Sequence, residues 1–353
     1  MAALSENTGA PGAGAVHIRS VGTALPGPAV DNATLGQRLR MPGQWEEWVD
    51  TFIGTRTRHL AIDLDSGKPA ATLADLCETA GRRALDRAGL APEQVDLVVM
   101  GTASPDDLMP ATVNVVADRL RINGVPSYQL QSGCTGAFQA MHVAQQLLST
   151  GAYRNALVLG GDVTARFYDF DVDFATLPPE HLVHYVLFGD GAGAMVLDTQ
   201  PVPGSLAVRR LFTQLTGLDR APGQIVHWFG PSDRDSTRPP AEEDYKAIEE
   251  SVPVMAAEIL DDLLDETGWD RDEVDFLLPP QLSGRMTTKI VDLLALPSAT
   301  EVSCVRDVGN NGNATPFFQL EQLLAQATPG SRAVGVSVES SKWIKAGFAV
   351  ETV

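Results

Sequence analysis

Cysteine is scarce: Cys77, Cys134 and Cys304 are the three in a chain of 353 residues. An odd set without CxxC spacing argues against a disulfide framework or a zinc site and fits a reducing cytoplasm. Histidine is also sparse, with six residues. The closest pair, His181 and His184, would face opposite sides of a strand and makes a poor metal clip. Basic residues are outnumbered, 26 Lys and Arg against 45 Asp and Glu, for a formal net charge of −19. A field of that sign opposes nucleic acid and anionic membranes. No apolar run approaches the roughly 20 residues that a membrane helix needs. The opening MAALSENTGAPGAGA lacks the basic start and apolar core of a signal peptide. Residues 1–14 read as a disordered tail, because Gly, Ala, Pro and Ser bury little.

What the chain does contain is an ordinary globular mixture, 44% hydrophobic and 20% charged. Its length exceeds one simple core, so two domains or two fused halves are expected. Two stretches read alike: ALDRAGLAPEQVDLVVMGT from Ala84 and LLDETGWDRDEVDFLLPPQ from Leu263. Each ends an amphipathic helix, stops at a glycine (Gly89, Gly268), turns through acidic residues and enters an apolar strand. The same spacing carries Cys134 onto Asn313 and Phe138 onto Phe317. The reading is one α/β unit used twice, over residues 15–200 and 201–353, with a pseudo-twofold axis bringing two strand-to-helix turns face to face.

The first of those turns holds Cys134, between two glycines in LQSGCTGAFQAM. Phe138, Met141, Ala144, Leu147 and Leu148 recur at helical spacing after it. A cysteine at a helix N-terminus meets unpaired amides and the positive end of the helix dipole, which favour the thiolate. Its own amide is a candidate oxyanion donor. Cys77 lies on the apolar face of a helix with Leu73, Leu76, Ala80 and Ala84, and Cys304 in the apolar run EVSCV, so both read as core.

The run SGCTGAFQAMHVAQQLLSTGAYRNALVLGGD, followed by VLFGDGAGAMVLD, resembles the β-ketoacyl-ACP synthase III family of the thiolase superfamily. The similarity extends from VHIRSVGTALP through EEWVDTFIGTRTRHLA to the C-terminus. It implies a five-layer αβαβα α/β fold from duplicated halves, a homodimer, and a tunnel to a cysteine that accepts an acyl group from a coenzyme A or carrier-protein thioester. No tightly bound cofactor is implied. In that family a histidine and an asparagine assist decarboxylation of malonyl-ACP by donating to the thioester oxygen as charge builds there.

Here the sequence departs from the family. The usual PHQAN-like segment reads PPQLSG, with Pro280 at the histidine position and Ser283 at the asparagine. Asn310, in GNNGNATP, stands at the other usual asparagine position, and the Gly-rich C-terminal loop reads ESSKW. The expectation is therefore an acyltransferase of secondary, polyketide-type metabolism that loads Cys134 and passes the acyl group on without decarboxylation. The alternatives are an ordinary decarboxylating condensing enzyme and a non-catalytic partner subunit. His184 is the leading candidate base, against a strand histidine satisfied by hydrogen bonds; Glu339 is the second, against a solvated loop carboxylate. His17, His59, His142 and His227 read as surface or packing residues.

For the donor, Trp48 matches the family's adenine-stacking tryptophan, while Phe52 stands where an arginine is expected. Arg285 matches a cation near the tunnel mouth and, with Lys289 a turn later, is a candidate guide for a carrier or for phosphates, against a plain solvated face. Met109 matches the residue that crosses the dimer to close the partner's acyl pocket, and FGDGAGA reads as a packing motif beside the site.

Overall fold

The computed structural model describes residues 15–171, 174, 179–227 and 241–353. The expected tail at 1–14 lies outside the described residues. Ten strands form the main sheet: β1 (His17–Ala24), β2 (Val98–Thr102), β3 (Ser127–Gln131), β4 (Asn155–Asp162), β5 (Gly191–Asp198), β6 (Leu206–Leu215), β7 (Phe276–Leu278), β8 (Thr300–Glu301), β9 (Arg332–Glu339) and β10 (Ile344–Thr352). Their lateral order is β8-β7-β9-β10-β6-β1-β5-β4-β2-β3. One five-strand pattern is used twice. In the first, β3, β2 and β4 run parallel and β5 lies antiparallel between β4 and β1. In the second, β8, β7 and β9 run parallel and β10 lies antiparallel between β9 and β6. The patterns join where His17 faces Ala207 and Ile18 faces Leu206.

Parallel strands need crossover helices, and these cover both faces of each half. The Leu73–Ala88 helix packs outside β1, β5 and β4, and the Tyr245–Thr267 helix outside β9 and β10. Between the halves lie the Gly136–Ser149 helix, against β2, β4, β6 and β10, and the Thr315–Gln326 helix, against β1, β5 and β7. This is the five-layer αβαβα arrangement that the resemblance implies.

Local sequence explains the helix limits. Thr72 and Asp75 exchange the hydrogen bonds of a capping box, and Gly89 closes that helix at φ 61°. Asp244 caps the later helix through the Ala247 N–H, and Gly268 closes it at φ 69°. Both glycines stop the chain where the repeat predicts.

The middle layer draws on both halves. Phe138 stacks on Phe348 with ring centroids 5.3 Å apart. Phe317 fills a notch where Gly160 and Gly193 stand: a Cβ there would lie 2.6 Å and 2.2 Å from it. Cys77 and Cys304 are buried in core clusters, as their apolar settings predict.

Candidate active site

The chain leaves β3 at Gln131, turns through Gly133, Cys134 and Thr135, and starts a helix at Gly136. The turn is crowded from the other half. A Cβ on Gly133 would lie 2.4 Å from Glu339 Oε1, and one on Gly136 would lie 2.4 Å from Asn313 Oδ1. A side chain at either position would therefore displace the Glu339 carboxylate or the Asn313 amide.

Two buried side chains hold this turn. Asn313 accepts from the Ala137 N–H at 2.8 Å and donates to the Ser132 carbonyl at 3.0 Å and to Asp162 at 2.9 Å. Asp162 also receives Thr102, the Ala103 N–H and Ser104. Glu339 accepts from the Thr135 N–H at 3.2 Å, and Ser337 donates to the Cys134 carbonyl at 2.9 Å. The two equivalent turns thus meet, through Asn313 and Gly136.

These contacts change the electrostatics expected of a helix terminus. The Thr135, Gly136 and Ala137 amides already have acceptors in Glu339, the Gly133 carbonyl and Asn313. Burial pushes the Cys134 thiol well above the usual range, and the carboxylates of Glu339, Asp162 and Glu243 push the same way; its own amide pulls weakly down. Burial and these carboxylates thus oppose the thiolate expected at a helix end. Burial likewise raises Glu339. That residue is 1% exposed, which corrects the reading of it as a solvated loop carboxylate.

Cys134 itself is half-buried and reachable. It lines an open cleft of about 730 Å³ shared with Trp48, Phe52, Glu243, Tyr245, Arg285 and Asn310. It also lines an inner, largely apolar pocket of about 90 Å³ with Phe167, Tyr168, His184 and Phe188. A third, small cavity brings Pro280 and Asn310 beside it. Pro280 therefore faces the site with neither a proton nor a hydrogen-bond donor to offer. Asn310 accepts the Gly312 N–H at Oδ1, which leaves its Nδ2 as the donor it can present.

His184 lies on the Pro179–Leu187 helix, which corrects the strand considered from sequence. The residues HLVHYVL are apolar on too many sides for periodicity to separate the two. The His181 side chain lies outside the described residues. His184 Nε2 is 3.1 Å from the Tyr245 hydroxyl, and its Nδ1 is 3.6 Å from Glu243 Oε1. Glu243 is pushed up to about 7 by burial. Neither Glu243 nor Tyr245 stands out in AEEDYKAIEE, an acidic stretch that looks solvated.

At the cleft mouth Trp48 stacks on Trp45 at 5.4 Å and packs beside Phe52. Arg285 donates to the Thr51 carbonyl at 3.1 Å and sits 6.0 Å over the Phe52 ring. Lys289 lies 3.4 Å from Glu249, so the expected positive patch is half neutralised. Met109 is 87% exposed on this single chain. His17 is buried, His59 meets the Pro26 and Gly27 carbonyls, His142 meets Thr213 and His227 meets Glu242, and among the described residues none of the four lines the three cavities described above. In FGDGAGA, Asp190 is buried on the Ala61, Thr164 and Ala165 amides, and Gly193 admits Phe317, so the motif packs as expected. Among the described residues no group of three His, Cys, Asp or Glu is placed to hold a metal, and no helix is long and apolar enough to cross a membrane.

Comparison with known proteins points to one family. Residues 128–210 match the model of 3-oxoacyl-[acyl-carrier-protein] synthase III, and residues 264–340 match that of its C-terminal part. The β-ketoacyl-[acyl-carrier-protein] synthase III of Neisseria meningitidis serogroup A is 31% identical over 84% of this chain and 87% of its own length. The solved structure of AbyA1, described as a tetronic acid condensing enzyme, is 63% identical, covers 95% of this chain and 99% of its own, and superposes with a TM-score of 0.93. The corresponding synthase of Pseudomonas aeruginosa PAO1 is 26% identical over 96% of this chain and 98% of its own, with a TM-score of 0.80.

Proposed function

The chain belongs to the 3-oxoacyl-[acyl-carrier-protein] synthase III family, and on that premise we propose that it moves an acyl group from a thioester donor, through Cys134, onto an acceptor without decarboxylation. The observation that carries this reading is the wall around the sulfur. Pro280 and Asn310 face Cys134 in one cavity, so only one side chain of that pair can donate to a developing enolate. A decarboxylating site gains from two donors, and removing one typically costs about 10²–10³ in rate.

In the first step Cys134 Sγ attacks the donor carbonyl. His184 takes the thiol proton, which the raised thiol does not release by itself, and the departing carrier or coenzyme A thiolate takes it back. The Cys134 amide is the oxyanion donor. In the second step the acceptor loses a proton to the base and attacks the Cys134 thioester, and Sγ leaves and is reprotonated. Trp48 and Arg285 at the cleft mouth hold the donor's nucleotide or phosphopantetheine arm. Asn310 orients the bound carbonyl through Nδ2.

The likeness to a tetronic acid condensing enzyme narrows the acceptor. Tetronic acid is a five-membered β-keto lactone, so building it joins two acyl units through one C–C and one C–O bond. A β-ketothioester supplies the carbon nucleophile directly, because its methylene lies between two carbonyls and is already acidic. Such an acceptor needs a base and a shaped cleft, not loss of CO₂. The family arrangement supports a homodimer and a soluble carrier protein as partner.

The test is intact-mass spectrometry of the protein with a set of acyl thioesters. One acyl addition on the wild type and none on Cys134→Ala is expected, with malonyl-ACP decarboxylation slow. Full transfer activity in Cys134→Ala overturns the nucleophile. Rapid CO₂ release coupled to chain extension returns the reading to ordinary condensation.

A further inference from the structure

Three titratable side chains from three separate elements converge beside Cys134. His184 comes from the Pro179–Leu187 helix, Glu243 from the end of the short strand Ala241–Glu243, and Tyr245 from the first position of the long helix that follows. The Tyr245 hydroxyl is 3.1 Å from His184 Nε2, and Glu243 Oε1 is 3.6 Å from His184 Nδ1. The His184 and Glu243 side chains are 10% and 4% exposed. The Glu243 carboxylate is further held by Gln224 and by Tyr245. A carboxylate this buried is costly unless paired, and an imidazole at charge-pair distance is the partner that repays it.

Access divides the three. Tyr245 and Glu243 line the open cleft with Cys134, whereas His184 lines the inner pocket. His184 thus shares the inner apolar pocket with Cys134, while its hydrogen-bond partner lines the cleft that is open to an acceptor.

We propose that Tyr245, His184 and Glu243 form the proton relay of the Cys134 site, with Tyr245 as the group that meets the acceptor and Glu243 as the positioning residue that fixes the His184 tautomer. This rests on the acyl-transfer reading above. The one Tyr245 proton has two acceptors in reach, the Glu243 carboxylate and His184 Nε2; the relay runs when it points to Nε2, with the other imidazole proton on Nδ1 at charge-pair distance from Glu243. A proton leaving the acceptor goes to the Tyr245 oxygen as the Tyr245 proton passes to Nε2. The result is one acceptor anion and one imidazolium beside the Glu243 carboxylate. When Sγ departs from the thioester the proton returns by the same path, so no proton or electron is gained or lost over the cycle.

Among the described residues, the groups facing the relay include Gln224 on Glu243, the Tyr168 ring 6.4 Å and the Phe188 ring 6.0 Å from His184, and Cys134 itself, whose thiol feels the Glu243 charge. Glu243, raised to about 7, carries its charge above that pH and loses it below. The relay is therefore fully armed only on the alkaline side. Replacing Glu243 by Gln removes the charge that favours imidazolium, so the pH at which the base titrates should fall.

The experiment measures alkylation of Cys134 by iodoacetamide against pH, read by mass, because that probe needs no knowledge of donor or acceptor. Wild type should show an inflection near neutrality. Tyr245→Phe, nearly isosteric, should slow alkylation on the alkaline side by about tenfold, whereas Glu243→Gln removes a charge that raises the thiol and is read by its inflection and not by its rate. Glu243→Gln should move the inflection to lower pH, a displacement that a merely structural role would not produce. If either variant fails to fold by circular dichroism, the other reads the same coupling, and His184→Gln should match it. Superimposable profiles in the folded variants overturn the relay while leaving the acyl-enzyme intact. Failure of every thioester to label wild-type Cys134 overturns the acyl-enzyme instead.

Discussion

Two turns at matching positions of the two halves do opposite work. In the first, Cys134 stands half-open to a cleft. In the second, Asn313 is fully buried and spends its side chain on the first turn and on Asp162. The same strand-to-helix geometry thus holds a nucleophile in one copy and a clamp in the other. The fold fixes where the two turns meet, and one side chain at each decides what the meeting does.

The sharpest way to break the comparison is Asn313→Ala. It removes an acceptor from the Ala137 N–H and a donor from both Ser132 and Asp162, all buried. A loss of about 3 kcal/mol is expected, from one unsatisfied amide and one weakened buried carboxylate. Urea denaturation measures it, and an unchanged midpoint would mean that the second turn does not clamp the first. A smaller effect is expected where the halves cross over. Phe317 depends on the notch at Gly193, so Gly193→Ala should cost about 1–3 kcal/mol by overpacking. The readout is the melting temperature, and an increase would show that the notch is loose.

The gentlest probe is Glu339→Gln, at the carboxylate that accepts from the Thr135 N–H. Removing that negative charge should lower the Cys134 thiol pKa, so that a larger fraction is thiolate and alkylation near pH 8 speeds up by up to about tenfold. No change would show that Glu339 already carries a proton, the direction in which burial pushes it.

Much of this was legible in one dimension. Glycine after each outer helix, an apolar run after each acidic turn and the matched spacing of Phe138 and Phe317 are patterns that steric and burial rules impose locally. The strands follow less strictly: β4 and β9 begin at 155 and 332, two residues off the helix spacing of 136 and 315, because a short loop can change length without moving the packed elements. The site was half legible. Cys134 stands out by its glycines, and Pro280 by replacing a residue that could titrate. His184 could be named but not placed, since an apolar stretch of that length reads as strand or helix alike. Glu243 and Tyr245 gave no signal: a carboxylate among carboxylates looks solvated until tertiary packing covers it.

By itself, then, the sequence determined the duplicated α/β framework and the position of one cysteine at a strand-to-helix turn. Those follow from periodicity and from backbone geometry, which act between near neighbours. The tertiary structure alone decided the charge of that cysteine and the company it keeps. Burial and the carboxylates of Glu339, Asp162 and Glu243 push its thiol up, and a pKa is set by everything within a few ångströms, however far away in the chain.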